Sequence, residues 1–281
     1  MTAITTGFAP AKINLALHVT GRRADGYHLL DSLVVFGAAG DRLDMRAAPG
    51  LSLSIEGPFV ERIPAGDDNL VLRAMELMRR EAGVTEQGAD VTLTKLLPPG
   101  SGIGGGSSDA AAALRGLAAL WGVTLPAAEA VLTLGADLPV CMTPRAQRMR
   151  GVGERLDPVD GLPDLPLLLV NPGVPVATPA VFSALTERDG PAMEPMPAAP
   201  DLRQFVEWLA RQRNDLQPPA MTLLPDIGTV LERLEASDCL LARMSGSGAT
   251  CFAIYPDIDA RDEAAAHIRA EAPSEWWVAE A

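Results

Sequence analysis

The stretch Pro98-Pro99-Gly100-Ser101-Gly102-Ile103-Gly104-Gly105-Gly106-Ser107-Ser108-Asp109 runs straight into Ala110-Ala111-Ala112-Ala113-Leu114. Five glycines and three serines leave almost no side chain along it, and an alanine-rich helical pattern follows. Unpaired N–H groups in front of a helix N-terminus favour negative charge, because the amides and the helix dipole act together. The strand pattern Val91-Thr92-Leu93-Thr94-Lys95-Leu96-Leu97 feeds the stretch. It is thus clamped between two regular elements, as a flexible linker seldom is. The sequence predicts a strand–loop–helix cradle for a phosphate-type anion.

Several familiar phosphate loops do not fit. A Walker loop ends in Gly-Lys-Ser/Thr, whereas Gly106 is followed by Ser107 and Ser108. Gly100, Gly102 and Gly105 make a literal GxGxxG. A dinucleotide fold, however, needs an acid at the end of a second strand about 20 residues on. There the chain has Leu125-Pro126-Ala127-Ala128-Glu129, a helix start. No His-Arg-Asp or Asp-Phe-Gly follows, as a protein kinase requires. What remains is a triphosphate held by backbone amides, with the hydroxyls of Ser107 and Ser108 free to help.

The flanking sequence is mixed α and β. Phe8 to Val19 alternates from Lys12 onward, with Ile13, Leu15 and Leu17 on one face and Lys12, Asn14, Ala16 and His18 on the other. On periodicity alone this is a half-exposed strand with a solvated polar face. The basic segment Thr20 to His28 carries an Asp25-Gly26 turn signal, and separate strands are expected at Leu29 to Phe36, Asp41 to Met45 and Leu51 to Ile55. A helix begins after Asp67-Asp68-Asn69, any of which can cap it, with Leu70, Ala74, Leu77 and Met78 at helical spacing. The helix after the glycine stretch sets Ala110, Ala113, Leu114, Leu117 and Trp121 on one stripe. Asp137 stands in a Gly/Pro-bounded segment where it suits a helix N-cap. A proline-rich shift at 158–166 marks a domain boundary, giving 1–157 and 158–281. The second part is expected to form a βαββαβ-like α+β module, with a mobile, aperiodic loop over 190–200.

Composition narrows the function classes. The chain has 281 residues, 48% hydrophobic and 21% charged, the balance of a globular enzyme. A formal net charge of -13 argues against nucleic acid as partner. A local pocket can still be positive on an acidic protein. Cys141, Cys239 and Cys251 form no CxxC pair, so they are expected as small buried hydrophobes of a reduced compartment, with no disulfide framework and no zinc site. Residues 1–7 lack a basic n-region with an apolar h-region, and no apolar run approaches the ~20 residues of a membrane helix. A cytoplasmic location without membrane partners is expected.

Three motifs, in order, resemble the signatures of the GHMP (galactokinase, homoserine, mevalonate, phosphomevalonate) kinase superfamily: Pro10-Ala11-Lys12-Ile13-Asn14-Leu15, the glycine stretch, and Met244-Ser245-Gly246-Ser247-Gly248-Ala249. Further segments are similar to the branch that acts on a cytidine-diphosphate-linked methylerythritol on the way to isoprenoid precursors. They are Arg23-Ala24-Asp25-Gly26-Tyr27-His28, Leu134-Gly135-Ala136-Asp137-Leu138-Pro139, Gly151-Val152-Gly153-Glu154 and Arg213-Asn214-Asp215-Leu216. The resemblance implies a two-domain α+β fold, with a ribosomal-S5-domain-2-like N-terminal domain for ATP and catalysis and a ferredoxin-like C-terminal domain on the substrate side. It implies ATP with Mg²⁺, metal ligands unassigned, and phosphorylation of the acceptor's 2-hydroxyl by a monomer or homodimer.

Lys12 and Asp137 match the family's catalytic pair, and Pro98, Pro99, Gly100, Ser101, Gly102, Ile103, Gly104, Gly105, Gly106, Ser107 and Ser108 match its ATP loop. On the substrate side the matching residues are Asn14, Tyr27, His28, Thr178 and Phe182, with Phe182 stacking on the base from the side opposite the Tyr-His pair. Lys95 and Asn69 are candidates for the adenine side, each with a structural alternative as strand-end charge and helix cap. Residues 143–147 lack the glycines usual in this family before the Gly-x-Gly-Glu turn. The open alternatives are another superfamily kinase or decarboxylase acting on an untagged alcohol, a dinucleotide-dependent oxidoreductase, and a regulatory nucleotide-binding module.

Overall fold

The computed structural model describes residues 4–64 and 66–281; Met1, Thr2 and Ala3, which open the segment read for a leader, lie outside them. Contacts divide the chain into two compact units, each assembled from separate segments. The first takes the chain up to Ala11, Gly40–Pro99 and Gly104–Pro144; the second takes Lys12–Ala39, Gly100–Ile103 and Arg145–Ala281. This differs from a single cut at 157/158. The reason is the length of the first two strands, β1 (Thr5–Arg22) and β2 (His28–Ala48), which pair with each other and run through both units. Composition shifts do not register such a strand. The separate strands expected on either side of Gly37 and Gly40 are one continuous β2.

In the first unit β2 pairs antiparallel with β4 (Gly88–Thr94), and β4 pairs parallel with β3 (Leu51–Glu56). Two helices cover this sheet region: α1 (Leu70–Glu81) and α2 (Gly105–Trp121), which pack on each other. α1 buries Val71, Ala74, Met75, Leu77 and Met78, which includes the expected Ala74, Leu77 and Met78 and sets Val71 inward in place of Leu70. Asn69 caps it, its Oδ1 accepting the Val71 N–H at 2.8 Å. α2 is buried almost all round from Ser108 to Leu114, because alanine lets neighbours approach on every side. Gly116 lets the Met45 side chain of β2 lie against the helix: a Cβ there would stand 2.0 Å from the Met45 Cε, which would have to move. Two short helices, α3 (Ala128–Leu132) and α4 (Leu138–Met142), complete the unit.

In the second unit the first part of β2 pairs with β5 (Gln147–Gly151), and β5 with β6 (Arg155–Pro158). A separate sheet has the order β10-β7-β9-β8, antiparallel throughout, from β7 (Leu167–Asn171), β8 (Leu241–Met244), β9 (Cys251–Ile254) and β10 (Trp277–Glu280). Between β7 and β8 lie α5 (Thr178–Ser183), α6 (Leu202–Ala210), α7 (Gln217–Leu223) and α8 (Asp226–Glu235); α9 (Ile258–Glu271) joins β9 to β10. That is the βαββαβ succession the sequence predicts, with the ferredoxin-like strand order that the family resemblance implies. Its core includes Leu168, Val170, Ile227, Val230, Leu234, Cys251 and Ile268. Burial pushes the Cys251 thiol far up and the Cys239 thiol to about 11, as expected for inert thiols.

The segment 190–200 carries no regular element, and its first half is tied down by hydrogen bonds. Gly190 N donates to Val19 O at 3.0 Å, Met193 N to Asp31 Oδ2 at 2.9 Å and Glu194 N to Gln212 Oε1 at 3.1 Å. Arg148 completes the tie, forking onto both oxygens of Asp31 and donating to Met193 O at 3.0 Å. Among the described residues no helix is long and apolar enough to cross a membrane.

Candidate active site

The polar face of β1 is not solvated. Lys12, Asn14 and His18 are 3%, 0% and 1% exposed, so the strand is buried on both faces. Each side chain or its backbone has a partner to suit. Lys12 N donates to Ile103 O at 2.9 Å. Asn14 N donates to Ser245 Oγ at 3.0 Å, and its Nδ2 to Ser32 Oγ at 2.7 Å. Ser32 Oγ in turn donates to Ala16 O at 2.6 Å. The Asn14 Oδ1 is buried with no hydrogen-bond partner. His18 has a structural task. It sits between Pro191 O, 3.0 Å from Nδ1, and the Arg213 N–H, 3.1 Å from Nε2. This sets the Nδ1–H tautomer, since Nε2 must accept. Burial holds its pKa below the ordinary value.

The glycine stretch contributes to both units. In the second, Ser101 O accepts from Thr250 N at 3.0 Å and Gly102 O from Ser245 Oγ at 3.1 Å. Two glycines meet here. A Cβ on Gly102 would lie 2.4 Å from Ser245 O, and one on Gly246 would lie 2.5 Å from Gly102 O; both have positive φ. The third signature motif therefore fixes the backbone of residues 101–103 by direct contact, and Ser245 joins it to Asn14. Arg243 holds the same strand from the other side, its guanidinium donating to Leu15 O, Leu209 O and Gln212 O at 2.8–3.0 Å. Thr178 Oγ1 lies 2.7 Å from Ser247 Oγ.

In the first unit Gly104 is the N-cap of α2, at φ 62 and ψ 22, with no side-chain cap. The first N–H groups of α2 are thus uncapped by any side chain, as an anion site needs. Ser108 departs from expectation. Its hydroxyl is fully buried and donates to Pro10 O at 2.7 Å, and its N–H closes the first helical bond to Gly104 O. It anchors the helix to β1, leaving Ser107, half-buried, as the hydroxyl nearer solvent. Lys95 and Asn69 resolve to their structural alternatives. Asn69 is the α1 cap, and Lys95 is a 1% exposed ion pair with two aspartates, Asp41 and Asp109.

Asp137 occupies the N-cap position of α4 with helical φ −84 and ψ −9, and its side chain makes no capping bond. Its carboxylate is therefore not consumed by the helix it precedes. Arg115 fixes α4 in place, donating to Cys141 O at 2.7 Å and to Phe8 O at 3.2 Å.

The second unit brings His28 and Phe182 together as stacked rings, centroids 4.9 Å apart and tilted by 23°. Of the Tyr-His pair, His28 is thus the ring that Phe182 meets directly. Tyr27 is 62% exposed. Burial, then the charges of Arg22 and Arg188, lower the His28 pKa, and its Nε2 is buried with no partner. Sequence reasoning did not find Asp41, Asp109, Ser32 or Arg243. Arg243 directly precedes the third motif, but nothing local marks Asp41 or Ser32. Among the described residues no cluster of three or more His, Cys, Asp or Glu could hold a metal ion.

With this geometry in view, comparison with known proteins places the chain in a class. Residues 69–144 match the GHMP kinases N terminal domain and residues 195–274 the GHMP kinases C terminal domain. The chain belongs to the GHMP kinase family. Its relatives include the 4-diphosphocytidyl-2-C-methyl-D-erythritol kinases of Cereibacter sphaeroides, 55% identical over 99% of both chains, and of Ruegeria pomeroyi, 52% identical over 97% of this chain and 96% of that one. A crystal structure of 4-(cytidine 5'-diphospho)-2C-methyl-D-erythritol kinase, 35% identical, covers 98% of each chain with a TM-score of 0.79. L. major mevalonate kinase, at 15% identity and a TM-score of 0.67, shares the fold.

Proposed function

We propose that this kinase transfers the γ-phosphoryl group of ATP to the 2-hydroxyl of 4-diphosphocytidyl-2-C-methyl-D-erythritol, in the cytoplasm, as a monomer or homodimer. The observation that carries the reading is the full-length similarity to kinases of that name, at 55% identity, with the three signature motifs intact. Phosphoryl transfer is chiefly positioning and charge stabilisation. The side-chain-free N-terminus of α2 suits the phosphates, since amides there approach unobstructed. Mg²⁺ would accompany the triphosphate and, when bound, would neutralise charge on the phosphate oxygens.

Asp137 accepts or orients the proton of the acceptor hydroxyl, and Lys12 counters the negative charge that develops as the hydroxyl attacks. Asn14 Oδ1, the unpartnered acceptor, suits a hydroxyl of the polyol. Tyr27, His28, Thr178 and Phe182 face the cytidine part, with His28 Nε2 free to bond the base edge. Lys12→Ala and Asp137→Asn are expected to lower kcat by about 10²–10⁴-fold while ATP still binds. Near-wild-type turnover in both variants would refute these roles.

A further inference from the structure

Directly behind the start of α2 lie three charged side chains that the proposed chemistry leaves unused. Lys95, at the end of β4, is 1% exposed; Asp41, on β2, is 0% and Asp109, in α2, is 2%. Lys95 Nζ bonds Asp41 Oδ2, and reaches Asp109 Oδ2 at 2.7 Å. It also stands 3.0 Å from the point where a Gly105 side chain would begin, against the first residue of α2.

One cation faces two carboxylates, so full ionisation leaves a net buried negative charge at the end of the helix that is to receive phosphates. Burial of uncompensated charge is resolved by protonation. The two acids are unequal in this respect. Asp41 Oδ1 accepts the N–H groups of Leu96 and Leu97 at 2.6 and 2.8 Å, bonds that favour its ionised form. Asp109 Oδ1 is buried with no partner at all. β1 meets α2 through the carbonyls of Pro10 and Phe8, which accept from Ser108 and Arg115. α1 turns in Val71, Ala74 and Met75, and α4 buries Leu138, Val140 and the Cys141 thiol.

We propose that Asp109 is a positioning residue of the nucleotide subsite that takes up a proton from solvent when a nucleoside triphosphate docks at the start of α2. The neutral carboxyl then stays hydrogen-bonded to Lys95, and the Lys95–Asp41 pair is left balanced beneath the loop. This rests on the ATP reading of the glycine stretch. Burial is the largest influence on Asp109, and with Asp41 it outweighs the Lys95 charge, holding its pKa near 8 in the nucleotide-free protein. Added phosphate charge raises it further. Proton uptake on binding therefore belongs above that value, where the free protein has Asp109 ionised, and vanishes well below it.

The test is calorimetric titration of the full chain with Mg·ATP, in two buffers of different ionisation enthalpy, at about pH 8.5 and about pH 6. The expected result is uptake of about half a proton or more at the higher pH and none at the lower. Asp109→Asn, which mimics the neutral acid, should bind ATP with no uptake at either pH and with a KM for ATP that no longer rises with pH. Binding without uptake by the wild type at the higher pH overturns the proposal, whatever the variant does. Uptake that persists in Asp109→Asn overturns the assignment to this residue. If the wild type does not bind ATP at all, the reading of the loop falls, and the proposal with it.

Discussion

His18 and His28 show how differently two histidines of one unit can be used. His18 accepts from Arg213 N at Nε2, and a second proton on the ring would replace that bond with two opposed donors. Burial, helped by the charge of Arg213, outweighs the Pro191 carbonyl and the charges of Asp215 and Asp31, and the pKa is lowered. The folded state thus binds its proton less readily than the unfolded chain does. The stability that His18 contributes is complete above the ordinary value of 6.5 and is lost as pH falls below it, through the lowered folded value. Urea unfolding of wild type and His18→Gln from neutral pH to pH 5 checks this, the variant being expected to lose part of the slope. His28, with an unpartnered Nε2 and a stacked Phe182, has the form of a ligand group. His28→Ala is expected to raise KM for the cytidine-linked alcohol about 3–10-fold and to leave KM for ATP unchanged, in steady-state assays varying one substrate at a time.

At the scale of elements, the three sequence motifs explain one another. Ser245 bridges Asn14 N and Gly102 O, so a single hydroxyl registers the strand with Lys12 and Asn14 against residues 101–103. Ser245→Ala leaves a buried N–H without its partner and is expected to cost about 1–3 kcal/mol, read from the denaturant midpoint. The Gly102–Gly246 contact permits no side chain on either residue. Gly246→Ala is therefore expected to cost more, about 2–4 kcal/mol, and to raise KM for ATP by distorting the loop. These motifs were legible as strings because glycine and serine runs between regular patterns are rare, and so were the Asn69 cap and the βαββαβ succession of elements. Long-range events were not legible. The merging of 29–36 and 41–45 into one β2 depends on pairing with β5 and β4 along its length, and the burial of the Lys12 face depends on partners such as Ser245, 231 residues away from Asn14. The Lys95 cluster joins residues 54 and 14 positions apart, a spacing no local pattern records.

The whole molecule is a GHMP kinase, and its relatives include 4-diphosphocytidyl-2-C-methyl-D-erythritol kinases more than half identical to it across the full chain. The fold is shared with mevalonate kinase at 15% identity, so the fold alone does not select the acceptor. On the proposed reading, selection of the acceptor falls to His28, Phe182 and Thr178 rather than to the glycine stretch. Superfamily members acting on untagged alcohols are the natural competitors. The decisive measurement is ADP release with ATP and either 4-diphosphocytidyl-2-C-methyl-D-erythritol or bare 2-C-methyl-D-erythritol 4-phosphate as acceptor. The account predicts steady turnover and a singly phosphorylated product with the cytidine-linked acceptor, and about 10²-fold or lower kcat/KM with the bare one. Equal turnover of the two, or none with the cytidine-linked compound, would contradict it.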